Sequence, residues 1–168
     1  MTIQIGDRLP AATLTEFNVI ETEGCALGPN SVPVQDAVAG KTIAIFGLPG
    51  AFTPTCSAQH LPGYIALGAQ LKAKGVDEIW CVSVNDAFVM GAWGREQKAT
   101  GIVRMMADGS AAFTKALGLE FDLVAKGFGV RSQRYSMLVQ DGVVKQLNLE
   151  GGGGFTVSSA EKMLEQLG

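Results

Sequence analysis

Residues 42–84 read TIAIFGLPGAFTPTCSAQHLPGYIALGAQLKAKGVDEIWCVSV, and the order of patterns within them indicates one class of fold. The two ends, residues 42–46 and 78–84, are rich in β-branched and apolar residues, which predicts two strands. Between them, apolar residues recur at helical spacing over residues 61–71. A strand, a helix and a second strand form a βαβ unit, so the two strands are expected to pair in parallel.

The pattern continues and then changes after this unit. Helical spacing over residues 88–93 and a strand-like run at 102–106 extend the alternation. Near the end, a further strand is predicted at residues 135–139, and Asp141 and Gly142 separate it from a second strand-like run. An Asp-Gly pair between two such runs is a strong signal for a two-residue hairpin.

The last segment predicts a helix that closes the fold. Ser158 and Glu161 fit a capping box at the start of a helix over residues 160–167, and the glycines at 151–154 predict a loop before it. A βαβ half followed by a ββα half predicts an α/β protein with a thioredoxin-like fold. Its central mixed β-sheet is expected to be flanked by helices on both faces.

Bulk composition bounds the class of protein. The chain has 168 residues, which fits one domain over residues 1–168, and 17% of them are charged with a net charge of -3. Nucleic acid and anionic membrane surfaces are therefore not expected partners. The first ten residues show no secretory signal pattern, and three cysteines do not make a disulfide framework. These features predict a soluble protein in a reducing compartment, the cytoplasm.

One cysteine stands where a helix is predicted to begin. Thr53 suits the N-cap and Pro54 the first helical position, which places Cys56 in the first turn. Unpaired N–H groups and the positive end of the helix dipole favour a thiolate there, and the thiolate is the nucleophilic form of cysteine. Pro62 is expected to interrupt the helix, since it lacks an N–H. The alternative is that Cys56 is an inert core cysteine.

Here the sequence resembles a known family. Pro49, Thr53 and Cys56 form the PxxxTxxC pattern of peroxiredoxins, and LPGAFTPTCSAQHLPGY (48–64) resembles the peroxiredoxin 5 or type II subfamily in particular. The similarity continues through EIWCVSVNDAFVMGAWG (78–94), RSQRYSMLVQDG (131–142) and FTVSSAE (155–161).

The resemblance implies a thiol peroxidase that reduces hydroperoxides through a sulfenic acid on Cys56. Thr53 resembles the threonine that bridges the sulfur and the incoming oxygen, and Pro49 the proline that shields the sulfenate. Arg134 resembles the arginine that stabilises the thiolate and polarises the substrate. Apart from the resemblance, Arg134 reads as an ordinary surface charge.

The remaining thiols bear on how the enzyme is regenerated. Cys81 lies in an apolar run and reads as an inert core thiol, although some plant-type relatives have a cysteine here that has been proposed as resolving. Cys25 reads as exposed and incidental. Where several subfamily members have a resolving cysteine, this chain has Val157. We therefore expect regeneration by an external thiol, glutathione with glutaredoxin or thioredoxin.

Other classes of function fit the sequence less well. A thioredoxin-like disulfide exchanger would need a second cysteine where Gln59 stands, and His60 reads as structural rather than as the base of a Cys–His pair. A redox sensor or holdase oxidised stoichiometrically at Cys56 remains an alternative. No cofactor or metal is expected, because neither a phosphate-binding motif nor zinc-ligand spacing is present. The resemblance implies a homodimer, with Phe52 and Trp93 as candidate contacts, although both could be core aromatics.

Overall fold

The computed structural model describes residues 1–20, 26–151 and 154–168, so Cys25 and two glycines of the 151–154 loop lie outside the described residues. Within these ranges there are nine strands: β1 (Thr13–Ile20), β2 (Ala26–Pro33), β3 (Thr42–Leu48), β4 (Glu78–Ser83), β5 (Arg104–Ala107), β6 (Glu120–Leu123), β7 (Gly129–Ser132), β8 (Tyr135–Gln140) and β9 (Val143–Leu149). Five α-helices accompany them: α1 (Val34–Val38), α2 (Leu61–Ala73), α3 (Ala87–Glu96), α4 (Ala112–Leu117) and α5 (Ala160–Gln166). Two short turns complete the structure, a π-helical one at Cys56–His60 and a 3-10 one at Val124–Lys126.

Seven of the strands form one mixed sheet in the order β2-β1-β5-β4-β3-β8-β9, and β6 pairs with β7 in a small second sheet. Strands β3, β4 and β5 are parallel, whereas β8 runs antiparallel to β3 and to β9. The predicted parallel βαβ unit and the mixed sheet are both confirmed.

Helices cover both faces of this sheet, as predicted. Along β3, Ala44 and Phe46 belong to a buried cluster that includes side chains of α2, α3 and α5. Ile43 and Ile45 belong to a second buried cluster that includes side chains of α1 and α4. This alternation follows from the period of two in a strand, which points successive side chains to opposite faces.

The hairpin between β8 and β9 is confirmed at the predicted residues. Asp141 has φ 47° and Gly142 has φ 78°, so both turn residues are left-handed. Two consecutive left-handed residues are what a type I′ turn requires, and this turn matches the twist of the paired strands.

Several features differ from the sequence predictions: the strand expected at residues 102–106 is β5 at Arg104–Ala107, and α1, α4, β6 and β7 were not predicted. The final helix is capped by Ser159, whose side chain accepts a hydrogen bond from Lys162 N, and not by Ser158. The N-terminal hairpin of β1 and β2 was not predicted, because Pro29 and Pro33 interrupt the strand pattern of β2. These prolines are tolerated because β2 is an edge strand, where a missing N–H can face away from the sheet.

Among the residues that the structure describes, no helix combines the length and apolar character needed to cross a membrane.

Candidate active site

Cys56 lies in the first turn of the helical segment that follows β3, as predicted. The helix begins at Pro54, directly after Thr53, and Ser57 N donates to Thr53 O at 2.9 Å to close the first turn. The Thr53 hydroxyl donates to Gly50 O at 2.7 Å, and this hydrogen bond holds the loop that precedes the helix. Thr53 therefore stands at the predicted helix start, but its side chain stabilises the turn before the helix.

The predicted interruption at Pro62 takes the form of a π-helical turn. Leu61 N donates to Cys56 O, a bond that spans five residues instead of four. The next bond of this type would run from residue 62 to Ser57 O, and Pro62 has no N–H to form it. The interruption thus begins at the cysteine itself.

Helix α3 and Gln97 directly after it donate hydrogen bonds to the interrupted turn. Gln97 Nε2 donates to Ser57 O at 3.2 Å, and Trp93 Nε1 donates to Ser57 Oγ at 3.0 Å. Trp93 is fully buried, which favours the core-aromatic alternative over a contact with a second subunit. Phe52 is 51% exposed, so it remains available for such a contact.

Arg134 lies beside Cys56, as the resemblance implies. Its Nη2 donates to Cys56 Sγ at 3.3 Å, and the arginine is only 6% exposed, so it is not a surface charge. Arg134 directly precedes β8, whose Tyr135 pairs with Gly47 near the end of β3. A Cβ at Gly47 would collide with the Tyr135 ring, so glycine permits the register that brings Arg134 to the cysteine.

His60 contacts the other side of the same guanidinium. Arg134 Nη1 lies 2.9 Å from His60 Nδ1, and because arginine can only donate, Nδ1 must be the acceptor. His60 Nε2 therefore has the proton and donates to Ser158 O at 3.0 Å. Burial, and secondly the charge of Arg134, lower the pKa of His60 from 6.5 to about 3. His60 is thus a neutral residue that orients Arg134, which supports a structural role.

Cys56 has no exposed surface, although the sequence predicts a thiol within reach of substrate. Its neighbours Thr55 and Ser57 are half-buried, and Pro54 and Ala58 are exposed, so the turn that carries the sulfur reaches the surface although the sulfur itself does not. Dry surroundings strengthen the interaction of a thiolate with the guanidinium. Cys56 therefore has no contact with solvent as the turn stands.

Pro49 and Thr53 belong to the loop that connects β3 to this helical turn, and both are half-buried. Pro49 O accepts a hydrogen bond from Arg131 Nη1 at 3.4 Å, which ties the loop to β7. The four residues singled out in the sequence therefore come from two places: three from one loop and turn, and Arg134 from the start of a distant strand.

Cys81 lies within β4 and is fully buried, as predicted. Burial, with a smaller contribution from a charge on Cys56, raises the pKa of the Cys81 thiol well above its ordinary value. A neutral thiol is a poor nucleophile, so Cys81 is suited to packing. Val157, the residue at the position considered above for a resolving cysteine, donates its N–H to Glu150.

Sequence reasoning missed several residues around Arg134. Tyr64 donates its hydroxyl to Ser158 O at 3.1 Å, and Phe155 places its ring centroid 5.8 Å from the Arg134 guanidinium carbon. Glu150 is 3% exposed, and its N–H donates to Arg134 O at 3.0 Å. An acidic residue directly after a predicted strand was the one available signal for Glu150.

Comparison with known proteins identifies the family. A family model described as Redoxin matches residues 4–164. The chain is 53% identical to the protein named Peroxiredoxin-2E-2, chloroplastic, from Oryza sativa subsp. japonica, over 170 aligned residues that cover 99% of this chain and 73% of that relative. The chain belongs to the peroxiredoxin family. It is a peroxiredoxin of type II and therefore a thiol-dependent peroxidase.

Solved structures agree with this assignment. The reduced Prx3 of Vibrio vulnificus, in complex with H2O2, superposes on this peroxiredoxin with a TM-score of 0.91 at 53% identity, covering 99% of this chain and 100% of that one. A Burkholderia cenocepacia structure described as a putative thioredoxin reductase has a TM-score of 0.95 at 63% identity, with 98% of each chain covered. The central mixed sheet of this peroxiredoxin is thus that of the thioredoxin-like fold.

Proposed function

We propose that this peroxiredoxin reduces hydrogen peroxide and organic hydroperoxides through a sulfenic acid on Cys56. One observation supports the choice of residue above all others: Arg134 Nη2 lies 3.3 Å from Cys56 Sγ, and both side chains are buried. A guanidinium keeps its proton, so Arg134 places a fixed positive charge and a hydrogen-bond donor beside the sulfur.

The reaction is a two-electron displacement. The Cys56 thiolate attacks the terminal peroxide oxygen, an S–O bond forms as the O–O bond breaks, and the leaving oxygen takes a proton and departs as water or an alcohol. Sulfur is oxidised to the sulfenic acid, and the peroxide is reduced. Negative charge develops on the leaving oxygen, and the donors of Arg134 lie where they can stabilise it.

Thr53 and Pro49 complete the proposed site. The Thr53 hydroxyl uses its proton on Gly50 O, so its oxygen keeps acceptor capacity for a peroxide O–H. Pro49 has no N–H, so it brings an apolar ring to the loop without adding a donor. We assign Thr53 to holding the peroxide and Pro49 to shielding the sulfur from water.

Regeneration is proposed to use an external thiol. Val157 cannot form a disulfide, and Cys81 is a buried thiol within the central sheet. A first reductant thiol attacks the sulfenic sulfur with release of water, and a second thiol then releases Cys56 from the mixed disulfide. Glutathione with glutaredoxin, or thioredoxin, supplies both thiols.

A reductant panel tests this function. We expect hydrogen peroxide to be consumed over many turnovers with glutathione and glutaredoxin, or with thioredoxin. Cys56→Ser is expected to abolish turnover, and Cys81→Ser, the matched control, to leave it unchanged. Consumption of a single equivalent with every reductant would instead favour the redox sensor.

We further propose a cytoplasmic location and a homodimer. Free thiols at Cys56 and Cys81 are typical of reducing compartments, although two relatives are named as chloroplastic. Phe52 and Phe88 expose 51% and 63% of their surface, which suits a contact with a second copy. Analytical ultracentrifugation of wild type and Phe52→Ser tests the dimer: a monomeric wild type would contradict it.

A further inference from the structure

The Glu150 side chain binds the backbone of the segment that follows the β8–β9 hairpin. The residue follows β9 directly, and its carboxylate accepts hydrogen bonds from three consecutive N–H groups: Thr156 at 2.7 Å, Val157, and Ser158 at 2.9 Å. The Thr156 hydroxyl adds a fourth bond at 3.3 Å. Three adjacent amides that converge on one carboxylate form an anion-binding nest.

This carboxylate is buried without a cationic partner. Glu150 is 3% exposed, and it forms no ion pair with a lysine or arginine within residues 1–20, 26–151 and 154–168. Burial alone would raise the pKa of Glu150, but the N–H bonds from Val157, Thr156 and Ser158 outweigh it and lower the pKa. A buried charge is costly unless it is hydrogen-bonded, so the backbone must keep this arrangement.

The nest connects to the reactive cysteine through three further bonds. The N–H of Ser158 is bonded to Glu150, and the Ser158 carbonyl oxygen accepts a hydrogen bond from His60 Nε2 at 3.0 Å. His60 Nδ1 accepts from Arg134 Nη1 at 2.9 Å. Arg134 Nη2 then donates to Cys56 Sγ at 3.3 Å.

Glu150 also restrains the other end of the arginine. Its N–H donates to Arg134 O at 3.0 Å, so the same residue is bonded to the main chain of Arg134 and, through Ser158 and His60, to its guanidinium. Arg134 itself forms no ion pair with a carboxylate among the described residues, and its Nε has no hydrogen-bond partner there. The orientation of the guanidinium therefore depends on His60.

We propose that Glu150 is a positioning residue of the peroxidase. It fixes Ser158, Ser158 O fixes the His60 ring, and His60 aims Arg134 at the Cys56 sulfur. The Glu150 carboxylate lies near the site but forms no ion pair with Arg134, so the guanidinium remains available to the thiolate. The inference rests on the proposed function, because it takes Cys56 and Arg134 as the reacting pair.

A double-mutant cycle tests the proposal. Glu150→Gln keeps the size of the side chain but turns an amide NH2 toward the backbone N–H groups. We expect it to slow single-turnover oxidation of Cys56 by hydrogen peroxide about tenfold or more, since small misplacements of a catalytic group have effects of this size. Glu165→Gln is the matched control, the same change on the exposed face of α5, and should oxidise like wild type.

The second arm separates positioning from folding. In an Arg134→Ala background, Glu150→Gln should slow oxidation no further, while its effect on the melting temperature should be similar in both backgrounds. Glu150→Asp retains the charge and should recover part of the rate, and it replaces Glu150→Gln in the cycle if the latter does not fold. Oxidation of the Glu150 variant at the wild-type rate, or losses that multiply fully in the double variant, would overturn the proposal.

The proposed function and the positioning role of Glu150 can each fail without the other being confused with it. If Cys56→Ser retains peroxidase turnover, the proposed function is wrong whatever Glu150 does. If Cys56 and Arg134 variants lose turnover but Glu150→Gln does not, the peroxidase remains and the positioning role is rejected.

Discussion

Arg134 and Cys56 are separated by 78 residues in the sequence, yet Arg134 Nη2 lies 3.3 Å from Cys56 Sγ. The antiparallel register of β3 and β8 creates this contact, because it returns residue 134 to the end of β3 where the cysteine turn begins. Both side chains are buried, so the guanidinium acts on the sulfur with little screening by water. The surroundings of Cys56 are therefore set by the sheet register as well as by the helix start.

Replacing Arg134 is expected to slow the oxidation of Cys56. Arg134→Ala removes a donor aimed at the reacting atoms, a loss that commonly costs about 100-fold or more. Arg134→Lys should recover only part of the rate, because an ammonium lacks the planar fork that reaches both His60 and the sulfur. Stopped-flow single-turnover oxidation measures both variants. Arg8→Ala, which removes an exposed arginine bonded to Asp141 O at the opposite end of β8, serves as the control; an equal loss there would contradict a specific role for Arg134.

The buried His60 makes stability depend on pH. Its pKa is about 3 in the folded protein and near 6.5 when unfolded, so the unfolded state binds the extra proton between these values. Stability should therefore fall as the pH falls from 6.5 toward 3, by up to about 1.4 kcal/mol per pH unit. Urea unfolding from pH 7 to 4.5 measures this slope in wild type and in His60→Gln, which keeps an acceptor and a donor. An equally steep slope in the variant would show that other groups cause the loss.

Cys81 is expected to remain unmodified in the folded protein. It is fully buried in β4, and burial raises the pKa of its thiol. Of these two thiols, iodoacetamide at neutral pH should label Cys56 first and Cys81 only after denaturation. Peptide mass mapping after peroxide treatment should likewise show no Cys56–Cys81 disulfide. Detection of that linkage in native protein would restore an intramolecular cycle.

The hydrogen bond from Gln97 to Ser57 O is expected to restrain the π-helical turn. Gln97→Ala leaves that carbonyl unpaired, and a net loss of about 1 kcal/mol would raise the open population of the turn about fivefold. A bulky maleimide should then label Cys56 correspondingly faster. Gln70→Ala, an identical change on the exposed face of α2, should label at the wild-type rate. No difference between the two variants would show that the turn opens without breaking this bond.

Local patterns were sufficient to predict much of the fold. The apolar runs of β3, β4 and β8 and the Asp141-Gly142 turn have short-range signals that the structure confirms. The cap of α5 was misplaced by one residue because Ser158 and Ser159 both offer a hydroxyl, and only tertiary contacts decide between them. Ser158 N is bound by Glu150, which leaves Ser159 to cap the helix.

The site was predictable only in part. The position of Cys56 follows from a local helix start, and the assignment of Arg134 came from resemblance because no local pattern links it to a cysteine 78 residues away. His60, Ser158 and Glu150 are connected by bonds that depend on where β9 ends and how the following segment folds back. Such contacts between distant segments have no periodic signature in a sequence.

Trapping the oxidised cysteine tests the central claim most directly. After one equivalent of hydrogen peroxide, dimedone should add to the peptide that contains Cys56, which marks a sulfenic acid at that residue. The adduct should be absent in Cys56→Ser and should form more slowly in Arg134→Ala. An adduct on Cys81 instead, or peroxide consumption that persists in Cys56→Ser, would contradict the account.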